Sequence, residues 1–307
     1  MTNGELAFMA LAEELNFTRA AERIYMSQQG LSDHIKRLEK EYDTVLVTRK
    51  PEVALTESGH ELYKMLISKQ SMENDVRRMI ADIDHGDVGE VKVGISSARA
   101  RVFASDIVQQ FHYKHPHVHV SIVCELTTIL LQMLEQGELD FVIGVNPPAG
   151  KDLVIEPLFD DPLYVAVPEQ IAAEWTGDND QVDLRLYQDV PFIRDLHQSA
   201  SASTIDSFLA SQNINLNNVI SINDYNEQAA LCMRIDGAMF CSKSFAFFEG
   251  GEIMRKGLRI LGIKGLHHSV TICLITGGPR VYTRCVTDFI DITRESLMNF
   301  YEKHIKE

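Results

Sequence analysis

The chain is 307 residues long, enough for two or three globular units on a scale of roughly 100–200 residues per domain. Its 45% hydrophobic and 24% charged content is ordinary for a soluble protein, and no apolar run reaches the roughly 20 residues of a membrane helix. Five cysteines without a CxxC pair exclude a disulfide framework or a cysteine-rich zinc site, and a net charge of −15 excludes indiscriminate coating of nucleic acid, though not a small DNA-reading module.

Up to about residue 57 the pattern is one of short helices. Leu6, Met9, Ala10 and Leu15 fall near helical spacing. Thr18, a good N-cap residue, is expected to open a second helix over 19–24, and Ser27 a third over 28–40. In the third, Leu31, Ile35 and Leu38 share an inner face, while Gln28, Gln29, Ser32, Lys36 and Arg37 point outward. Two short helices joined by a tight turn, the second polar on its outer face, make a helix-turn-helix. The β-favouring pieces 45–49 and 53–55 flank Lys50-Pro51-Glu52 and predict a small hairpin, or wing.

A long helix starts at Thr56-Glu57-Ser58-Gly59. Along it Leu62, Met65, Lys69, Met72, Val76, Met79 and Ile83 alternate in steps of three and four, a heptad seam with one polar interruption. The seam predicts a partner helix; packing on its own domain is the alternative. His85-Gly86-Asp87-Val88-Gly89 is expected to end the helix and form a hinge.

From Glu90 the periodicity changes. Strands over 91–96, 118–126 and 139–145 alternate with helices over 103–113 and 128–136. A second run has strands at 163–167, 191–193, 219–223, 238–241 and 258–263, with helices at 203–211 and 225–234. A strand at 270–276 and a helix over 281–304 close the chain. Such alternation predicts a parallel sheet covered by helices.

Several pieces occur in order over about sixty residues: Phe8 to Glu13, Asn16 to Ala21, Ser27 to Ser32, Ile35 to Glu39, Leu46 to Arg49 and Leu55 to Gly59. This combination resembles the signature of the LysR family of transcriptional regulators. The resemblance implies an α/β protein with an N-terminal winged helix-turn-helix (1–58), a long dimerising linker helix and hinge (59–89), and a periplasmic-binding-protein-like two-lobe α/β effector domain (90–307). Lobe I would take about 90–161 and 268–307, and lobe II about 162–267. The chain departs from the family's habits at Asp33, Asp43, Val47 and the Lys50-Pro51-Glu52 wing, and over 18–65 its basic and acidic side chains balance.

In that frame Gln28 and Gln29 suit the N6/N7 edge of adenine in the major groove, and Ser32 a base or phosphate. Lys36, Arg37, Arg49 and Lys50 suit phosphate, which positions without reading sequence. Thr18 and Ser27 are helix caps whose helix N-termini could face phosphate. The expected partners are double-stranded operator DNA, a second copy of the chain in a homodimer or homotetramer, RNA polymerase, and a small-molecule effector. No membrane is expected, and the first residues, with no basic segment before an apolar one, fit a cytoplasmic protein.

The resemblance also implies an effector cleft between the lobes, at strand ends and helix N-termini. Carried over by position, its residues are Ser96, Ser97, Arg99, Thr127, Thr128, Asn146, Phe192, Arg194, Phe240 and Cys241. Hydroxyls and free backbone N–H groups there favour an anionic group, and Arg99, Arg101 and Arg194 could grip it bidentately, which points to a carboxylic acid. Helix caps, solvated arginines and core phenylalanines are the plainer readings of the same residues.

Catalysis is not expected: Gly94-Ile95-Ser96-Ser97-Ala98 lacks the final glycine of a nucleophile elbow, and no dinucleotide or phosphate-loop motif occurs. No cofactor or metal is expected. A metal-responsive regulator using His112, His115, His117 and His119, a redox-responsive one using Cys241, and a ligand-binding protein without operator activity are the alternatives.

Overall fold

A computed structural model describes the chain except residues 51, 86–88, 151–152, 177–179, 197–198, 248–256, 279 and 307, together with the side chains of 75, 78, 79, 81–85, 175, 176 and 247. The chain divides into two compact units, one built on Met1–Asp84 and the other on His85–Leu134 and Leu139–Glu307.

In the first unit, helix α1 (Asn3–Glu14) opens with a capping box: Thr2 Oγ accepts from the Glu5 N–H, and the Glu5 carboxylate accepts from the Thr2 N–H. Helix α2 (Phe17–Arg23) is capped by Asn16, whose Oδ1 accepts from the N–H groups of Thr18 and Arg19. The cap expected at Thr18 thus sits two residues earlier, because Asn16 holds the extended backbone a cap requires. Helix α3 (Gln28–Glu41) is capped by Ser27, which accepts from the Gly30 N–H at 3.1 Å. It buries Leu31, Ile35 and Leu38 against Phe8, Leu11 and Ala20. Strands β1 (Val47–Thr48) and β2 (Ala54–Leu55) pair antiparallel as the wing.

Helix α4 (Glu57–His85) is capped by Thr56, which accepts from the Gly59 N–H and donates to the Val45 carbonyl. Gly59 is required there, since a Cβ would stand 2.2 Å from the Leu46 carbonyl oxygen. The expected seam needs correction at its start. Leu62 lies in the unit's own core beside Leu66, and Lys69 is held by Glu5 at 2.8 Å. Met65, Met72 and Val76 of the expected seam are exposed, and Ile80 joins them. The side chains of Met79 and Ile83, like hinge residues 86–88, lie outside the described residues.

In the second unit, β3 (Glu90–Ser96), β4 (His119–Glu125) and β5 (Phe141–Val145) are parallel, in the order β4-β3-β5. Helices α5 (Ser97–Lys114) and α6 (Thr127–Glu135) connect them. The wholly parallel sheet expected from the alternation is instead mixed. The 16-residue strand β6 (Leu153–Pro168) runs antiparallel to β12 (Ser269–Gly277), which in turn pairs antiparallel with β5.

Strand β6 belongs to both lobes. Its Pro162 pairs with Ser269 on the lobe I side, and the next residue, Leu163, pairs with Ser242 of β10 (Ala238–Ser242) on the lobe II side. Only part of β6 was expected, because Pro157, Asp160, Asp161 and Pro162 interrupt its apolar pattern. Pro157 is accommodated where the register with β12 shifts, at a bulge.

Lobe II follows with α7 (Glu169–Thr176), β7 (Gln181–Val182), β8 (Pro191–Arg194), α8 (Ala200–Ser211), β9 (Asn217–Ser221) and α9 (Tyr225–Ile235). After β10 come the short α10 (Lys243–Phe247) and β11 (Leu258–Ile263), antiparallel to β6. The terminal helix α11 (Arg284–Phe300) begins at a Thr283 cap, three residues later than expected, and packs Phe289 and Phe300 edge-on against Phe111 and Phe103 of α5. No helix among the described residues is long and apolar enough to cross a membrane.

Candidate functional sites: a reading head and an inter-lobe cleft

In the first unit, α3 and the wing border a concavity of about 470 Å³. Gln28, Gln29, Ser32 and Lys36 line it from α3 and Arg49 from the wing. The periodicity that buries Leu31, Ile35 and Leu38 forces these polar residues to the opposite face. The Arg49 guanidinium stands 5.5 Å from the centre of the Phe17 ring, a cation–π contact that holds it at the rim. Phe17, Asp33 and Val53 also line the concavity, beyond the residues expected there. Asp33 pairs only loosely with Lys36, at 3.9 Å. Thr18, Ser27, Arg37 and Lys50 are exposed but do not line the hollow.

In the second unit a cavity of about 900 Å³ opens at the carboxyl ends of the lobe I strands, where α/β sheets place their ligands. Ser96 ends β3, and its register partner Glu125 ends the adjacent β4. Asn146 follows β5 at φ 43° and clamps β12, its Oδ1 accepting from the Thr271 N–H at 2.7 Å. Thr127 Oγ accepts from the Val145 N–H at 3.0 Å, which ties the start of α6 to the end of β5. Ser97, Arg99 and Thr128 complete the set that the structure brings to this cavity from the expected residues.

The arginines differ from expectation. Arg99 is 1% exposed, and its Nη2 stands 2.9 Å from Oδ2 of the fully buried Asp161. The pair is close but poorly aligned for a hydrogen bond, since Arg99 Nε and Nη2 have no hydrogen-bond partner among the described residues. Asp161 also accepts from the N–H and hydroxyl of Ser244, at the start of α10. Arg101 pairs with Asp224, and Arg194 with Asp206. Each arginine expected to grip an anion therefore already holds a carboxylate.

Four expected residues lie elsewhere. Phe192 is fully buried and stacks on Phe240, with ring centres 5.4 Å apart. The Arg194 guanidinium covers the Phe240 ring at 5.0 Å, and Arg194, Phe240 and Cys241 border a separate small recess. Burial pushes the Cys241 thiol far above its ordinary value, which leaves it protonated and inert. The cause is register: Phe192, Phe240 and Cys241 sit within strands, whereas the cavity wall begins beyond the strand ends, at Asp195.

Lobe II contributes what sequence reasoning missed. Ser203, Thr204, Ser207 and Ser211 of α8 face the cavity at helical spacing, a hydroxyl stripe visible in the sequence. Three of these hydroxyls donate back to their own helix: Thr204 to the Ala200 carbonyl, Ser207 to Ser203 and Ser211 to Phe208. Their protons are engaged, so they offer the cavity oxygen lone pairs. Tyr225, at the start of α9, completes this wall; burial raises its hydroxyl well above the usual range, opposed by the Arg99 charge.

Of the four histidines at the α5–β4 junction, His115 is buried, stacked on Phe111 and bonded to Asp288, while His112, His117 and His119 are exposed. No group of three metal-ligating side chains occurs among the described residues.

One chain thus joins a winged helix-turn-helix unit to a two-lobe α/β unit with a cavity at its strand ends. Residues 84–298 match the LysR substrate binding domain and residues 6–60 the bacterial regulatory helix-turn-helix protein of the lysR family. The chain belongs to the LysR family, whose members are transcriptional regulators rather than enzymes. A probable RuBisCO transcriptional regulator of Phaeodactylum tricornutum is 27% identical over 274 residues, 87% of each chain. XapR of Escherichia coli is 32% identical over 53% of this chain and 56% of its own, and CysL of Bacillus subtilis is 28% identical over 53% and 55%. The chain thus spans about half the length of these last two relatives. Among solved structures, ArgP from Mycobacterium tuberculosis superposes with a TM-score of 0.67 at 14% identity, covering 96% of each chain. CbnR complexed with its target DNA gives 0.60 at 19% identity, covering 96% of this chain and 100% of that one. At these identities the likeness shows the fold.

Proposed function

We propose that this protein is a sequence-specific regulator that reads operator DNA with α3 and the wing, and that an effector held between its lobes controls it. The observation that carries the reading is the hollow in which Gln28 and Gln29 stand exposed beside Arg49. Donor–acceptor side chains next to a pinned cation suit base edges flanked by phosphate. The exposed Met65, Met72, Val76 and Ile80 of α4 support a homodimer, in which two half-sites add their contacts; a homotetramer needs further contacts in the second unit. A cytoplasmic location and contact with RNA polymerase belong to the same reading. The effector is a small acid whose carboxylate meets Ser96 and the N-terminus of α5, where the Ser96 side chain makes no cap bond.

A titration of the purified protein against duplex from its own upstream region, with a random duplex as control at two salt concentrations, tests this. Preferential, saturable binding to the upstream duplex is expected. Equal and strongly salt-dependent binding to both would leave only phosphate attraction and overturn the operator reading.

A further inference from the structure

We infer that the effector is a zwitterion, a small carboxylic acid that also bears an ammonium group, as in an α-amino acid. The inference rests on the cleft reading above and adds the second charge. At the floor of the cavity two buried donors lack acceptors. Ser96 is 8% exposed and Arg99 1% exposed, and Ser96 Oγ and Arg99 Nε have no hydrogen-bond partner among the described residues. Buried donors left unpaired are costly, so this floor calls for an acceptor such as a carboxylate.

Around that floor the imbalance reverses. Thr204, Ser207 and Ser211 have engaged their protons and present lone pairs. Glu125, beside Ser96 in register, forms no ion pair among the described residues. Arg99 is the only arginine or lysine among the described lining residues, and Asp161 neutralises it. A simple carboxylate would satisfy the floor but face the Glu125 carboxylate and a row of acceptors with no donor of its own. A simple amine would leave the Arg99 Nε–H orphaned. A molecule with three ammonium donors and a carboxylate satisfies both sides. At about 900 Å³ the cavity accommodates an amino acid with bridging water.

Calorimetric titration of the full-length protein with the standard amino acids, their des-amino acids, the corresponding amines, and glucose and ribose tests the assignment. At least one amino acid should bind saturably, at least about 10-fold tighter than its des-amino acid and its amine. Glu125→Gln should weaken that amino acid about 10-fold while leaving the des-amino acid unchanged, and Ser96→Ala should weaken both. A des-amino acid binding as tightly as its parent, or binding by a sugar alone, overturns the zwitterion but leaves the cleft reading in place. Binding insensitive to both substitutions, or no binding by any probe, overturns both.

Discussion

The reading head and the cleft use positive charge in opposite ways. In the head, Arg37, Arg49 and Lys50 have no carboxylate partner among the described residues and stand exposed. Around the cleft Arg99, Arg101 and Arg194 each hold an aspartate, from buried to half-exposed. A cation left free at the surface is available to a polyanion arriving from solvent. A cation near a small internal cavity must be neutralised before any ligand comes, because burying it alone is prohibitive. In the proposed reading the ligand meets hydroxyls, helix ends and the unpaired Nε of Arg99, while Arg101 and Arg194 serve the architecture.

The largest test of this contrast is Asp161→Ala. It would strand the Arg99 guanidinium and the Ser244 N–H in the interior, and denaturant unfolding should show a loss of about 3–5 kcal/mol. Full stability would mean that Arg99 does not depend on its partner. Next come two substitutions in the head. Gln29→Ala should cost about 1–3 kcal/mol of discrimination between operator and random duplex. Arg49→Ala should weaken both duplexes alike and lower the salt slope by about 1. An Arg49 variant that lost only operator binding would move that residue from phosphate to base. Arg101→Ala breaks a pair whose side chains are 45% and 33% exposed, so the change in unfolding free energy should stay below about 1 kcal/mol.

The smallest effect is chemical. Burial raises the Cys232 thiol from 9.0 to about 12 and that of Cys273 to about 11, whereas Cys124 is exposed. A folded-state value that is raised favours the native protein fully below pH 9 and loses that contribution as the pH climbs towards 11 and 12. Alkaline titration should thus destabilise the second unit over that window. Below it, a thiol reagent should label Cys124 first, with the others following only on unfolding; rapid native labelling of Cys241 would revive the redox alternative.

Much of this was legible in the sequence, for reasons that differ by region. The head was readable because its motif residues are caps and core positions: Ser27, Thr56, Leu31 and Gly59 act through neighbours close in the chain. Even there Thr18 was mistaken for the cap that Asn16 provides. In the cleft, the family resemblance points to strand ends, and these are visible in an apolar pattern, so Ser96, Thr127 and Asn146 could be placed beside the cavity. Arg99's partner was not, since Asp161 lies 62 positions away in a strand disguised by two prolines. Ion pairs of that separation leave no local trace. The acceptor face of α8 could have been read from Ser203, Thr204, Ser207 and Ser211, whose spacing matches one side of a helix.

The crossing in β6 has a mechanical consequence. Pro162 and Leu163 are consecutive residues paired with strands of different lobes, so no slack segment of β6 exists between them to act as a free joint. Rotation of one lobe against the other must be absorbed as added or relieved twist in this backbone. The strand then behaves as a torsion bar: its angular travel is short, and the stored twist returns the lobes to rest when the load is removed.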